Sequence, residues 1–414
     1  MTTSQAQQAT EARKLTRRYL DNAATSWPKP PIVFEAWEHA ARVIGGTVGR
    51  GGYNEARQAN AIAAGLREQV AILLGGVDRS RVAFSSGATL SLNMAIHGLL
   101  KPGDHVIATA ADHNATLRPL HWLKSRGLIT TTIVPCDGVG FVDPQSIANA
   151  WRPETKLVVC SHASNVTGTL QDAAAIAGIA HSHGGLLLLD AAQSLGQVPF
   201  VDAAFAADIV VAPSHKWLLG PAGAGILWVR SGIELDLLLQ GGTGTNSESL
   251  DMPASFLERM EPGTPDLPAL AGLSAAIDWL FAQSIPAVGV ACRAMADRCA
   301  ERLRQIAGVR VFRQQSQAPG GLAGAPIVSF TLDGYDPAEI AVVLEDAAGV
   351  QVRSGFHCAA LVHGALGMLS SSSGPSAGTV RLSFGPFNGA DDIDAVVETI
   401  EKLAASVPVS LARS

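Results

Sequence analysis

The chain has 414 residues, of which 47% are hydrophobic, and it carries a formal net charge of −6. This length exceeds what one ordinary hydrophobic core holds, so it predicts a large and a small domain. The acidic balance and the lack of a lysine and arginine cluster argue against nucleic acid or an anionic membrane as a partner and favour a small substrate.

The N-terminal segment, residues 1–18, is polar, and we expect it to be disordered. It lacks the apolar region of a signal peptide, and no stretch of the chain approaches the roughly 20 apolar residues of a membrane span. We therefore expect a cytoplasmic protein. The five cysteines show no paired spacing, which favours reduced thiols, and Cys160, Cys292 and Cys299 are expected in the core.

Helical and strand-like segments alternate between about Asn54 and Arg230. Asn54 is expected to cap a helix that ends at Gly75 and Gly76. Short apolar runs typical of buried strands then recur at residues 81–84, 105–108, 131–134, 157–160, 186–189, 209–211 and 226–229. Because helical stretches separate these runs, they predict an α/β fold with a mostly parallel seven-stranded sheet and helices on both faces. Ligands bind outside the carboxyl ends of the strands in such sheets.

A linking region around residues 263–265 precedes the rest of the chain. Long helical patterns follow at residues 268–281 and 288–306. Strands at residues 327–332 and 380–383 then alternate with helices at 337–344 and 390–403, which is typical of a small α+β domain. We therefore expect a large domain over residues 19–265, whose N-terminal segment packs on the small domain, and a small C-terminal domain over residues 266–414.

Lys216 is the most informative residue, because it directly follows the apolar run 208–211 and the segment Ala212-Pro213-Ser214-His215. Burial at a strand end lowers the pKa of a lysine and favours the neutral amine that attacks an aldehyde. Asp190 ends the apolar run 186–189 and supplies a carboxylate. Pyridoxal phosphate needs this pair, because the lysine holds its aldehyde and the carboxylate keeps its pyridine nitrogen protonated. For Lys216 alone, a surface lysine at a strand end is the competing interpretation.

Other polar or small residues also follow predicted strands. Residues 85–89, Ser-Ser-Gly-Ala-Thr, open a helix, where free backbone N–H groups and the helix dipole favour an anion. An ordinary helix cap is the competing interpretation of this segment. His113 follows the run 105–108, and Asn165 follows the run 157–160, so both are expected at the same edge of the sheet.

Cys358 lies in the segment Val-Arg-Ser-Gly-Phe-His-Cys-Ala, residues 352–359. A nucleophilic cysteine needs thiolate character, and Arg353 and His357 are the nearby groups that could supply it. His357, Cys358 and His363 are also potential zinc ligands. Three candidates in one loop, without a Cys-x-x-Cys partner, do not predict a structural metal site.

With these residues the chain resembles the class V, fold-type I pyridoxal-phosphate enzymes, and among them the Suf-type (group II) cysteine desulfurase and selenocysteine lyase family. The resemblance runs from Tyr19-Leu20-Asp21-Asn22-Ala23-Ala24 to Arg381-Leu382-Ser383-Phe384, and its most specific part is the Cys358 segment. Residues 241–244, Gly-Gly-Thr-Gly, differ from the usual Suf-type sequence and resemble a less studied desulfurase-like subgroup. The composition of residues 370–378 predicts a flexible segment.

The resemblance implies a role for each candidate site residue. Lys216, Cys358 and His113 would be catalytic, with His113 stacked on the pyridine ring. The cofactor contacts would be Ala88, Thr89, His113, Asn165, Asp190, Gln193, Ser214, His215, Lys216 and Thr243. Asn165 and Arg381 would bind the substrate carboxylate. Thr243 would reach the cofactor of a neighbouring subunit, which implies a homodimer.

The implied activity is removal of sulfur from L-cysteine as a persulfide on Cys358, with release of L-alanine, for sulfur transfer and iron–sulfur cluster assembly. A sulfur-acceptor protein would be the partner. Three alternatives stay open: a selenocysteine lyase or another C–S lyase, a class V aminotransferase in which Cys358 is dispensable, and a low-turnover partner in a sulfur-acceptor or storage complex. Product analysis distinguishes these activities, because a desulfurase forms sulfide and alanine, whereas an aminotransferase transfers the amino group to a keto acid.

Overall fold

The computed structural model describes residues 16–49, 51–198, 200, 206–314, 324–368 and 378–406. The helices in these ranges are α1 (Pro31–His39, continued by a π-helical turn at Ala40–Ile44), α2 (Asn54–Leu73), α3 (Ala88–Leu99), α4 (Asn114–Ser125), α5 (Pro144–Asn149), α6 (Ala173–Ser182), α7 (Phe256–Met260), α8 (Leu267–Gln283), α9 (Ile285–Arg304), α10 (Pro337–Ala348), α11 (Ala360–Ala365) and α12 (Ala390–Ser406). The strands are β1 (Arg18–Tyr19), β2 (Val82–Ser85), β3 (His105–Thr109), β4 (Thr130–Val134), β5 (Thr155–Ser161), β6 (Leu186–Asp190), β7 (Ile209–Pro213), β8 (Gly225–Val229), β9 (Val309–Phe312), β10 (Ile327–Leu332), β11 (Val350–Gln351), β12 (Arg353–Gly355) and β13 (Thr379–Ser383).

The central sheet has seven strands in the order β2-β8-β7-β6-β5-β3-β4. Strands β3 to β7 pair in parallel, whereas β8 runs antiparallel to its two neighbours, β7 and β2. Strands β3, β7 and β8 are buried along their whole length, which explains why they read as continuous apolar runs instead of alternating patterns. The predicted fold class and all seven predicted strands are confirmed.

A hydrophobic core lies on each face of this sheet. Along β6, Leu187 and Leu189 point into one core and Leu188 into the other, as the alternation of side chains along a strand requires. Helices α2, α6 and α8 cover the first core, and α3 and α4 cover the second. Burial of each leucine contributes about 1.5–3 kcal/mol to stability, so both faces hold the strand ends firmly in place.

A second, antiparallel sheet in the order β12-β13-β10-β9 has its own core with helices α9, α10 and α12. Strand β1 pairs in parallel with β11, so the N-terminal segment packs against this C-terminal part. Helix α8 packs in the first core of the large sheet through Ala269, Leu273 and Ile277, although the predicted boundary at residue 265 assigned it to the small domain. The domain boundaries themselves stay predictions.

No single helix in the described ranges is both long and apolar enough to cross a membrane. Helices α8 and α9 are so only when taken together, and the two are bent by 81° relative to each other. Cys160, Cys292 and Cys299 are buried, as predicted.

The structure also bears on the predicted cap of α2 and on the two segments predicted to be disordered or flexible. Asn54 is the first helical residue of α2, and Tyr53 is the residue before it that adopts the capping conformation, so the predicted capping role of Asn54 is wrong. Most of the N-terminal segment predicted to be disordered, residues 1–15, lies outside the described residues, and so do residues 370–377 of the segment predicted to be flexible.

Candidate active site

The carboxyl ends of the parallel strands border a cavity of about 340 Å³. Ser161, Asp190 and Pro213 end β5, β6 and β7, so the sheet brings together side chains from distant parts of the chain. Eight of the predicted cofactor contacts line this cavity: Ala88, Thr89, His113, Asn165, Asp190, Gln193, His215 and Lys216. Small-molecule sites have volumes of about 300–1,000 Å³, so the cavity is large enough for one small ligand.

Small residues that sequence analysis did not single out complete the wall. They are Ala115, Ser161, Ala163, Ala192, Ala222 and Gly223. Ser161 and Ala192 could have been found from their positions at or just after a strand end. Ala222 and Gly223 reach the wall because the chain turns back between Lys216 and β8, and the pair Gly220-Pro221 is the local signal that could have indicated this turn.

Four predicted site residues are not among the residues that line this cavity. Ser214 is buried, and its Oγ donates to the backbone oxygen of Pro221 at 2.6 Å. Cys358 lines an adjoining cavity, and Arg381 is buried next to Asn165. Thr243 is partly exposed and lines a different cleft, together with neighbours that include Gly241, Gly244 and Ser247.

Helix α3 begins at the cavity wall. Its N-cap residue, Gly87, has a φ of 154°, which favours glycine, and no side chain caps the helix. Gly225 of β8 packs against Gly87 so closely that a Cβ atom at Gly225 would lie 2.5 Å from the carbonyl carbon of Gly87. The two glycines thus bring the start of the helix against the sheet. The N–H groups of the first turn and the helix dipole favour an anion, such as a phosphate group, at this end of the cavity.

Asp190 and Lys216 share the cavity and influence each other's charge. Burial raises the pKa of Asp190, while a hydrogen bond from the N–H of Ala192 to Oδ1 (2.9 Å) and the charge of Lys216 act against this shift. Burial lowers the pKa of Lys216 to about 8, although Asp190 raises it. The amine of Lys216 is therefore neutral in a substantial fraction of molecules near pH 8, as a nucleophilic lysine requires.

A second lysine, Lys29, lies beside the Lys216 segment, and sequence analysis missed it. Its Nζ donates to Ser26 Oγ at 2.9 Å, to the backbone oxygen of Ser26 at 3.2 Å and to that of His215 at 3.3 Å. Burial lowers the pKa of Lys29 to about 8, close to that of Lys216. Lys29 lies 186 residues before His215 in the sequence, so only the folded chain brings the two residues together. Any test of Lys216 therefore needs Lys29 as its control.

His113 is the N-cap residue of α4, and its Nδ1 accepts the N–H of Ala115 at 3.0 Å. Burial, followed by the charge of Lys216, lowers the pKa of His113 to about 4. The ring is therefore neutral at pH 7, and because Nδ1 is an acceptor, the proton resides on Nε2. A neutral imidazole in this tautomer can stack on an aromatic ring and donate one hydrogen bond.

Asp112 positions the turn that carries His113. Its Oδ2 accepts the N–H of Thr109 at 2.7 Å, and its Oδ1 accepts the N–H of Ser161 at 2.6 Å, so one carboxyl group joins the ends of β3 and β5. Burial raises the pKa of Asp112 to about 6 despite these hydrogen bonds. Sequence analysis overlooked this residue, because an aspartate before a histidine has no distinctive local signal.

Cys358 lies in a strained loop. His357 and Cys358 have φ values of 50° and 61°, in the left-handed region that costs residues other than glycine about 1–2 kcal/mol each. Two hydrogen bonds hold the loop: Asn165 Nδ2 donates to the His357 oxygen at 2.6 Å, and the N–H of Asn114 donates to the Cys358 oxygen at 2.9 Å. Because Asn114 begins α4, the loop is attached to the same helix terminus that positions His113.

Arg353 is the group that can favour a thiolate at Cys358. Its Nη2 lies 3.3 Å from Cys358 Sγ. The ring of His357 instead contacts Thr379, with Nε2 3.0 Å from Oγ1, and burial lowers its pKa well below the usual value. A neutral histidine that faces away cannot stabilise the thiolate, so the prediction is wrong for His357 and agrees with the geometry for Arg353.

Arg381 and Gln193 are already engaged in hydrogen bonds with other parts of the chain. The two Nη atoms of Arg381 donate to the Asn165 oxygen at 2.9 Å and to Asp21 Oδ1 at 2.8 Å. Gln193 Nε2 donates to the backbone oxygen of Ala23 at 3.0 Å. Arg381 Nε is buried and has no hydrogen-bond partner among the described residues, so this nitrogen stays available to a substrate carboxylate.

The residues of the cavity fit pyridoxal phosphate. The uncapped start of α3 suits the phosphate, the buried Asp190 carboxylate suits a protonated pyridine nitrogen, and the Lys216 amine suits the aldehyde. His113, neutral and on the same wall, suits the face of the ring.

We expect Asp190→Asn to lower turnover by about 10²–10³-fold, because the cavity then lacks the negative charge that a protonated pyridine needs. Asparagine retains an oxygen that accepts the N–H of Ala192, so the local backbone is preserved.

The Asp190→Asn change should also lower the pKa of Lys216 below about 8, because Asp190 raises this pKa in the native chain. The pH dependence of amine labelling at Lys216 in the cofactor-free protein measures this shift. An unchanged pKa would contradict the electrostatic pairing.

Comparisons with known proteins agree with this geometry. A family model described as aminotransferase class-V matches residues 18–396. The chain is 32% identical over 393 residues to a probable cysteine desulfurase of Methanothermobacter thermautotrophicus, which covers 93% of this chain and 94% of the relative. Its fold is similar to that of the apo cysteine desulfurase from Thermococcus onnurineus NA1, with a TM-score of 0.85, 28% identity, and coverage of 94% of this chain and 95% of that one. The cysteine desulfurase CsdA from Escherichia coli has a TM-score of 0.83, 28% identity and the same coverage.

Proposed function

The chain belongs to the aminotransferase class-V family of pyridoxal-phosphate-dependent enzymes, and from this premise we propose that it is a cysteine desulfurase. It converts L-cysteine and the thiol of Cys358 into L-alanine and a persulfide on Cys358. The cofactor supplies an electron sink that weakens the bonds at the α carbon of a bound amino acid. The relatives and solved structures named as cysteine desulfurases over nearly the whole chain support this proposal.

One observation carries the proposal: an exposed cysteine lies in a strained loop beside the lysine cavity, with an arginine at its sulfur. The backbone around Cys358 is held by Asn165, which lines the cavity, and by Asn114, which begins the helix of His113. The guanidinium of Arg353 contacts Sγ at 3.3 Å. An aminotransferase needs neither the thiol nor its cationic partner, so this arrangement favours sulfur removal over amino-group transfer.

The chain's own residues divide the reaction as follows. Lys216, whose pKa is about 8, accepts a proton from the substrate α carbon. After sulfur has left, the β carbon takes up the proton that Cys358 lost on forming the thiolate, and Lys216 returns its proton to the α carbon, which completes alanine. The Cys358 thiolate attacks the substrate sulfur, so a sulfur–sulfur bond forms as the carbon–sulfur bond breaks. Asn165 and Arg381 bind the substrate carboxylate. Neutral His113 packs against the cofactor ring.

Product analysis tests this function. The holoenzyme is incubated with L-cysteine and a reductant, and alanine and sulfide are quantified, with and without a keto acid. We expect equal amounts of alanine and sulfide, independent of the keto acid. Formation of a new amino acid from the keto acid would instead establish an aminotransferase, and pyruvate with sulfide would establish elimination.

We also infer that the enzyme is a Suf-type homodimer that supplies sulfur to an acceptor protein for iron–sulfur cluster assembly in the cytoplasm. The exposed Cys358 supports transfer to an acceptor. Thr243 supports the dimer, because it lines a cleft apart from the cofactor cavity of its own chain and is partly exposed, so that a second copy can contact it.

The dimer proposal predicts that Thr243→Ala weakens cofactor affinity by about tenfold, the size expected for loss of a hydrogen bond to a charged phosphate, without changing the Lys216 cavity. Ser247→Ala, in the same cleft, is the control, because Thr245 Oγ1 lies only 3.3 Å from Thr243 Oγ1 and is not independent of it. Sedimentation of the native chain should give the mass of a dimer. A fully active monomer, or equal effects of both substitutions, would contradict a contact across the interface.

A further inference from the structure

A second cavity of about 640 Å³ adjoins the lysine cavity, and the proposed reaction does not use it. Thr89, His113 and Ala115 line both cavities. The lining of the second cavity continues over Cys358, Arg118 and Trp122. Its volume is within the range of about 300–1,000 Å³ for small-molecule sites. A ligand in this second cavity would therefore contact Cys358, which the lysine cavity does not include among its lining residues.

The charge of this second cavity selects for anions. Arg118 lines it and is exposed, and Arg353 adds a positive charge at the sulfur of Cys358. Its two histidines do not change this balance, because burial lowers the pKa of both His97 and His113. No carboxylate is among the described residues that line it. A carboxylate on a ligand would therefore find a cationic partner and no opposing charge.

An aromatic wall limits the size of the second cavity. Trp122 is 45% exposed, and its ring makes an edge contact with His97, at a centroid distance of 5.5 Å. The guanidinium of Arg126 lies over the ring of Trp122 at 4.2 Å. These contacts hold Trp122 in place, so it presents a rigid apolar surface beside Arg118.

We propose that this second cavity binds a small anionic thiol, a carboxylate-bearing compound that takes sulfur directly from Cys358. The proposal rests on the proposed function, which supplies the persulfide. The thiol's sulfur attacks the outer sulfur of the persulfide, a new sulfur–sulfur bond forms, and the bond to Cys358 Sγ breaks. Cys358 leaves as the thiolate beside Arg353 and regains the proton that the attacking thiol gave up, so the step needs no oxidant or reductant.

The first test measures the site without turnover. In the holoenzyme, the rate at which Cys358 reacts is compared for dithiobis(nitrobenzoate), a disulfide with two carboxylates, and for uncharged dithiodipyridine, with Cys358→Ala as the background. We expect Arg118→Gln to lower the ratio of the anionic to the neutral rate by about tenfold. Arg126→Gln, which removes the same charge from the outer face of Trp122, is the matched control and should leave the ratio unchanged.

The second test measures sulfur transfer. After loading with L-cysteine and removal of free cysteine, the persulfide is discharged with 3-mercaptopropionate or with uncharged 2-mercaptoethanol. The native enzyme should prefer the anionic thiol, and Arg118→Gln should remove that preference while the rate with the neutral thiol is kept.

Equal effects of Arg118→Gln and Arg126→Gln in either test, or no charge preference at all, would overturn the proposal. If L-cysteine forms no persulfide, the proposed function fails, whereas the disulfide rates still decide whether the anion site exists.

Discussion

Cys358→Ala is expected to abolish sulfide release, with a loss of at least about a thousandfold, while the cofactor stays bound. Lys216 and Asp190 lie on the wall of the adjoining cavity and are unchanged, so binding of L-cysteine should persist. Removal of sulfur as a persulfide needs a thiolate on the enzyme, and alanine carries no group that replaces it. Two measurements on the same preparation check this expectation. Sulfide release reports the loss of activity, and the visible absorbance reports the bound cofactor.

The other cysteines cannot substitute for Cys358, because burial raises the pKa of each. It is raised to about 11 for Cys136, to about 12 for Cys292 and Cys299, and well above the usual value for Cys160. Cys136→Ala is the matched control, since Cys136 is also partly exposed, and it should retain native activity. Sulfide production at a near-native rate in Cys358→Ala would show that the enzyme eliminates sulfur directly.

Lys216→Ala should yield a protein without the visible absorbance of lysine-bound pyridoxal phosphate and with turnover reduced by at least about a thousandfold. Two features single out Lys216: it lines the cavity, and Asp190 lies in the same cavity as its electrostatic partner. Borohydride reduction of the native holoenzyme, followed by peptide mass spectrometry, should locate the reduced cofactor on Lys216.

Lys29→Met is the decisive control for this prediction. Burial lowers the pKa of Lys29 to about 8 as well, so basicity alone does not distinguish the two lysines. Its Nζ is occupied by acceptors on Ser26 and His215, and Lys29 is not among the residues that line the cavity. Lys29→Met should therefore keep the absorbance and lose only stability, by about 1–3 kcal/mol. Cofactor reduced onto Lys29, or an unchanged spectrum of Lys216→Ala, would reverse the assignment.

The structure also explains why the loop of Cys358 depends on residues far away in the sequence. The left-handed conformation of His357 and Cys358 is unfavourable by itself, and it persists because Asn165 and Asn114 hold the two carbonyl oxygens. Asn165 thus links the loop to the lysine cavity, which it also lines. Because these hydrogen bonds fix the backbone of the loop, the exposed thiol of Cys358 is held in one place.

The sequence by itself determined the sheet and the residues at its carboxyl edge. Strands β7 and β8 are buried along their whole length, so their residues must be apolar, and that local pattern is visible without any knowledge of the fold. Lys216 and Asp190 follow such strands directly, and strand polarity then brings them to one edge. The specific Cys358 segment could be recognised from its residue order alone.

Only the tertiary structure decided which of the remaining groups meet. Lys29 and Asp112 have ordinary local sequences, and their contacts with His215 and Ser161 exist because the folded chain closes over long separations. His357 directly precedes Cys358 and Arg353 lies five residues before it, yet the imidazole is directed towards Thr379 and the more distant guanidinium lies at the sulfur. Side-chain direction within a loop depends on backbone dihedral angles and on distant hydrogen-bond partners, and residue spacing carries neither.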